Sequence, residues 1–256
     1  YNYEGGGVSF NSGVSCKLID GERGMFNNDQ LVKAINPPDF YHSPKTSLVC
    51  IENTTNKGGG ACWDLNELKL IKNTCLDNNL SYHLDGARIW NALIKMNQDP
   101  KDYGLIFDSI SVCLSKGLGC PAGSVLIGSD ELISRAIRVR KVLGGGMRQV
   151  GYLAACGIYA LENNFSRLSK DHQKAIEIEK TLRNLSYIEK VEPVETNIVI
   201  FEINSKISSE LFLKKLNIKG VKIISMGDNK LRVVTHLDYN NLMHNRFIEI
   251  LNDLKF

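Results

Sequence analysis

Four short apolar runs, each closed by polar or glycine residues, constrain this 256-residue chain more than any other feature of it. TSLVCIEN, LSYHLD, SISVCLS and GSVLIGS are too short for buried helices, and they read as strands of a mainly buried sheet. Between the first three, WDLNELKLIKNTCLDNN and ARIWNALIKMN carry apolar residues at helical spacing. Such alternation predicts an α/β fold, a mainly parallel sheet with helices on both faces. SDELISRAIRVRKVL adds a helix, with Ser129 as its N-cap and the glycines at 144–146 as its stop.

From about Gly151 the pattern changes. A long helical region runs through YLAACGIYALENN and SKDHQKAIEIEKTLRNL, and TNIVIFEI, VKIISMG and KLRVVTHL then read as strands. SSELFLKKLNIKG and NNLMHNRFIEILNDLKF supply helices. This predicts a large domain over residues 1–163 and a smaller α+β domain over 164–256. A net charge of +3, evenly spread, argues against nucleic acid as a partner. The longest apolar stretch, around YLAACGIYAL, is too short to span a bilayer. Seven cysteines without a CxxC pair argue against a disulfide framework and for a reducing compartment, the cytoplasm. No metal-ligand spacing stands out. The chain opens on Tyr1 rather than Met, as though a leader were removed or the sequence began inside a longer protein.

Ligands of open parallel sheets bind outside the carboxyl ends of the strands. Here those ends are unusually polar. TSLVCIEN closes on Glu52 and Asn53, LSYHLD on Asp85 with Arg88 just beyond, and SISVCLS on Ser115 and Lys116. Taken alone, Lys116 is as well explained by a solvated strand end as by chemistry. Burial would lower its pKa and free the amine as a nucleophile. Asp85, on a neighbouring strand, suits the pyridinium nitrogen of a cofactor, because a buried carboxylate keeps that nitrogen protonated. His83 shares its strand face, and packing and function are equally good accounts of it. Arg88 suits an anion. Gly117, Gly119 and Ala122 satisfy a loose G-x-G-x-x-A pattern, but a strand follows where a dinucleotide site needs a helix. No phosphate-binding P-loop motif is present.

HLDGARIWNA, SVCLSKGLGCPAGSVLIGS, RKVLGGGMRQVGYLAACGIYAL and KLRVVTHLD, in that order, closely resemble the blocks of the low-specificity L-threonine aldolase family. ENTTNKGGG and VETNIVIF extend the resemblance over nearly the whole chain. It implies a fold-type I scaffold of the aspartate aminotransferase kind and pyridoxal 5′-phosphate as cofactor. It implies cleavage of L-threonine or L-allo-threonine to glycine and acetaldehyde. By the same resemblance Lys116 matches the Schiff-base lysine and Asp85 the partner of the ring nitrogen. Arg88 matches an arginine near the cofactor and the substrate carboxylate, and Arg232 the arginine that grips that carboxylate. Lys141 and Arg148 match basic residues near the site at a subunit interface, implying a homo-oligomer, a dimer of dimers.

The chain departs from the family in two places. A phosphate-cradling turn and a ring-stacking histidine would fall before Tyr1. Thr55 stands where the family often has a histidine next to the substrate hydroxyl, which leaves a water as the candidate base. The rival readings are β-elimination or transamination on the same scaffold, and an inactive truncated scaffold.

Overall fold

The computed structural model describes residues 2–256. Two short helices, α1 (Gly7–Ser12) and α2 (Asn28–Ala34), precede the first sheet. That sheet comprises β1 (Leu48–Glu52), β2 (Ser81–Gly86), β3 (Ser109–Cys113) and β4 (Ser124–Gly128), and α3 (Leu65–Asp77), α4 (Ile89–Met96) and α5 (Pro100–Ile106) connect its strands. Then follow α6 (Asp130–Val142), α7 (Gly151–Asn163) and α8 (Leu168–Arg183). The second sheet holds β5 (Ile188–Val191), β6 (Ile198–Ile203), β7 (Ile224–Gly227) and β8 (Lys230–Val234), with α9 (Ser209–Ile218) and the closing α10 (Asn241–Asp253).

Polar side chains start these helices where free N–H groups need acceptors. Asp64 caps α3, Asp99 caps α5 ahead of Pro100, Ser129 caps α6, Ser208 caps α9 and Asn240 caps α10. Asn27 and Gln30 form a reciprocal capping box on α2.

In the first sheet β1, β2 and β3 are parallel and in that spatial order, and β4 closes the edge antiparallel to β3. Val49, Ile51, Tyr82, Leu84, Ile110 and Val112 point to one face and pack against Leu68, Ile71, Tyr103 and Ile106 of the helices. The other face is half-covered and carries Glu52, His83, Asp85 and Cys113. The second sheet, ordered β5-β6-β8-β7, is antiparallel throughout and has its own core around Phe201, Phe212, Leu231 and Phe247.

The α/β expectation holds, with one correction. GSVLIGS was expected in a mainly buried sheet, yet every residue of β4 is exposed. An edge strand has one neighbour, and α6, which lies beside it, buries none of its own residues. Apolar composition records a capacity for burial and not the presence of a covering surface. Of α7, only Gly157 and Ala160 are buried, while Tyr152 is 82 % exposed.

Helix α8 ties the two cores together. Leu168 packs with Leu114 and Leu118, whereas Ala175, Ile178 and Leu182 belong to the second core. Between them, buried His172 places Nε2 3.0 Å from Asn91 Oδ1 on α4. That geometry suits a neutral ring with Nε2 protonated and donating. Burial, with a smaller push from Lys95, holds the His172 pKa at about 4, down from 6.5. A depressed histidine stabilises the fold above pH 6.5, and that stability is lost as pH falls toward about 4. The loss should reach at most about 3 kcal/mol. Urea midpoints measured across this range should therefore fall more steeply for the native chain than for His172→Gln. Parallel slopes would show that His172 is not held neutral.

Candidate active site

Strand register puts the chemistry at one end of the sheet. Glu52 pairs with Asp85, and Asp85 with Ser111, so the polar ends of β1 and β2 stand side by side next to β3. Asn53 N–H adds a bond to Asp85 O at 3.0 Å. Asp85 Oδ1 accepts from Ala87 N–H at 3.0 Å, which fixes the turn into α4. Among the described residues, no hydrogen bond occupies Oδ2. His83, two residues back, places Nδ1 2.7 Å from Ser109 Oγ, and burial lowers its pKa against the opposing charge of Asp85.

Lys116 lies where β3 runs out. Its carbonyl accepts from Gly119 N–H at 2.9 Å, closing a tight turn with Gly119 at φ +76°. A Cβ on Gly117 would come within 2.9 Å of Leu168 Cδ2, so this turn sits directly against α8. Lys116 Nζ donates to Cys113 Sγ at 3.0 Å. Lys116 is exposed, not buried. The strand ends at Cys113, and the turn carries the lysine off the sheet.

Arg88 is mostly buried, and its Nη1 lies 3.6 Å from Glu52 Oε1. Burial lowers the Arg88 pKa, Glu52 resists that shift, and the positive charge of Arg232 adds to it. The two guanidinium groups are thus near enough to sense each other, although Arg88 heads α4 and Arg232 lies on β8 of the second sheet. Burial likewise raises the Glu52 carboxyl above its usual range. The Asn56 N–H opposes that, Asp85 adds to it, and Arg88 and Lys116 draw it back. Arg232 Nη1 donates to Asn56 Oδ1 at 2.6 Å, while its Nε is buried without a partner. A buried donor without an acceptor, next to a second cation, fits an anionic ligand.

The structure therefore gathers Lys116, Asp85, Arg88 and Arg232. Thr55 lies nearby but is only 2 % exposed, and its Oγ1 has no partner. Lys141 and Arg148 stand apart. Both are exposed around the turn between α6 and α7, Lys141 reaches Gly146 O, and neither bonds to Asp85, Arg88 or Lys116 among the described residues. No group of three or more His, Cys, Asp or Glu among those residues is placed to hold a metal ion.

An amine, a carboxylate oxygen left free and two guanidinium groups match an aldehyde, a basic ring nitrogen and a carboxylate, so pyridoxal phosphate with an amino acid fits this donor set. Comparison with known proteins agrees. Residues 1–206 match the beta-eliminating lyase family. The chain belongs to that family. It is 36 % identical to low-specificity L-threonine aldolase 1 of Arabidopsis thaliana, over 91 % of this chain and 67 % of the relative. It is 37 % identical to the low specificity L-threonine aldolase of Escherichia coli K12, over 93 % of this chain and 69 % of the relative. The crystal structure of a putative L-allo-threonine aldolase from Listeria monocytogenes superposes with a TM-score of 0.79 at 20 % identity, covering 98 % of this chain and 71 % of that one. At that identity the likeness speaks for the fold.

Sequence reasoning missed a clip that seats the loop after β1. Arg23 Nε donates to Gly58 O at 2.9 Å, Arg23 Nη2 donates to Pro193 O at 2.8 Å, and Nη1 pairs with Glu195. Glu195 Oε2 in turn accepts from Cys62 N–H at 2.9 Å. Pro193 and Glu195 lie 170 and 172 positions from Arg23, so no local spacing could reveal them. A Cβ at Gly58 would overlap the Arg23 carbonyl and Thr55 Oγ1. Gly58→Ala should therefore cost on the order of 2 kcal/mol, read as a lower melting temperature. An unchanged melting temperature would mean that the loop yields freely.

Proposed function

We propose that this chain cleaves L-threonine and L-allo-threonine to glycine and acetaldehyde, with pyridoxal 5′-phosphate as cofactor. One observation carries the reading: Asp85 on β2 and Lys116 in the turn after the neighbouring parallel strand β3 lie beside two guanidinium groups, Arg88 at the start of α4 and Arg232 on β8. Threonine aldolase relatives at 36–37 % identity support it.

Lys116 would hold the cofactor covalently through Nζ, and Asp85 would keep a proton on its ring nitrogen. The bound cofactor supplies an electron sink for breaking a bond at Cα of an amino acid. Arg88 and Arg232 bind the substrate carboxylate, and their two directions of approach fix which Cα bond is aligned for cleavage. Thr55 is buried, and a threonine hydroxyl is no base near neutral pH, so a water takes the β-hydroxyl proton. Atoms balance without an oxidant, since threonine equals glycine plus acetaldehyde.

In this reading residues 1–163 form the cofactor-binding domain and 164–256 the smaller domain. Lys141 and Arg148 face the cofactor at the boundary of a homo-oligomer, a dimer of dimers. The exposed apolar residues of β4, α6 and α7, Val142 and Tyr159 among them, support such a boundary. No helix among the described residues is long and apolar enough to cross a membrane, and all seven cysteines are free, which suits the cytoplasm.

Incubated with threonine and the cofactor, the protein should release acetaldehyde and glycine in equal amounts, and Lys116→Ala should abolish release. Formation of 2-oxobutyrate would identify a dehydratase instead. Borohydride reduction and peptide mapping should place pyridoxyl on Lys116; label on Lys141 would move the site. Arg232→Lys replaces a forked donor by a point charge and should raise KM for threonine about tenfold to a hundredfold. An unchanged KM would move the carboxylate grip elsewhere, with Arg88 the first place to look.

A further inference from the structure

We infer that Asn56, pinned by Glu52, is the residue that aims Arg232 across the gap between the two sheets and so sets the grip on a substrate carboxylate. The inference rests on the reading above that Arg232 binds that carboxylate. Neither Asn56 nor Glu52 is assigned a role by the sequence motifs.

The geometry is a relay of four residues. Arg232 rises from β8 of the second sheet, and its Nη1 donates to Asn56 Oδ1 at 2.6 Å. Asn56 N–H donates to Glu52 Oε2 at 3.1 Å, and Glu52 Oε1 faces Arg88 Nη1 at 3.6 Å. One carboxylate at the end of β1 therefore holds one arginine directly and the other through Asn56. The loop carrying Asn56 is itself rigid. Thr55 N–H bonds to Ala61 O at 3.1 Å, Gly60 N–H to Thr55 O at 2.8 Å, and Thr196 Oγ1 to Gly60 O at 2.8 Å. The last of these fastens the loop to the chain just before β6, the strand paired with β8.

The identity of residue 56 matters chemically. Only the amide oxygen can face a guanidinium, because the NH2 group cannot accept. A neutral acceptor takes one N–H of Arg232 and leaves its charge intact for an anion. Asp at this position would accept equally well but would neutralise that charge and repel the ligand carboxylate. The relay thus orients Arg232 without competing for what it is to bind, and the partnerless Nε shows that the guanidinium keeps donor capacity in hand.

The test is a binding cycle on the cofactor-loaded protein, with glycine as probe and calorimetry as readout. Asn56→Ala should weaken glycine about tenfold. Asn56→Asp, which keeps an acceptor oxygen and so the loop geometry, should weaken it at least as much while melting near the native temperature. In an Arg232→Lys background, Asn56→Ala should change glycine affinity by less than about twofold, because its effect runs through Arg232. Binding of methylamine, which has no carboxylate, should not change in Asn56→Ala. Native-like glycine binding by Asn56→Asp, or an undiminished tenfold loss in the Arg232→Lys background, overturns the inference and leaves the proposed activity standing. Failure of the native protein to bind glycine at all overturns both.

Discussion

The main-chain pairing of β2 is the constraint on which the site depends. Flanked by β1 and β3, both parallel to it, β2 cannot slide without breaking two ladders and turning its buried Tyr82 and Leu84 outward. That register fixes where Asp85 ends up. It also fixes Glu52 beside it and the point at which β3 releases the chain toward Lys116. Every polar group of the cluster is thereby referred to one rigid frame, except Arg232, which arrives from the second sheet.

That exception explains the density of contacts around residues 55–62. An arginine from one sheet is useful at the end of another only if the two hold a fixed separation. The Arg23–Glu195 clip, the Thr196 bond to Gly60 and the Asn56 acceptor all span that separation. Most of them use backbone carbonyls or neutral amides. These carry little net charge, so they stiffen the junction without screening the cations that face the site.

Much of this was legible in the sequence, and the failures have physical causes. Short apolar runs ending in Asp85 and Lys116 marked both the strands and the carboxyl end of the sheet, because side-chain periodicity and chain direction are local properties. The ordered motifs pointed to the family that the comparisons establish. Burial was not legible in the same way. Lys116 follows an apolar strand yet is exposed, and β4 reads as core yet is uncovered. Exposure depends on what lies opposite, which a run of residues does not encode. Asn56 and Arg23 escaped notice for a related reason. Their side chains are ordinary surface types, and the partners that give them meaning lie 170 to 176 positions away.

Helix α8 carries a consequence for how the chain comes apart. Its 16 residues run roughly 24 Å, and its two ends are embedded in different cores. Loss of the first core strips Leu168 and His172 of their neighbours and frays the helix from its start. Loss of the second strips Ala175, Ile178 and Leu182 and frays it from the other end. Because a helix propagates order along its length at little cost but nucleates poorly, neither half keeps its shape for long without the other. The two sheets, with separate cores and no shared strand, are thus coupled in unfolding through this rod as well as through the contacts around residues 55–62.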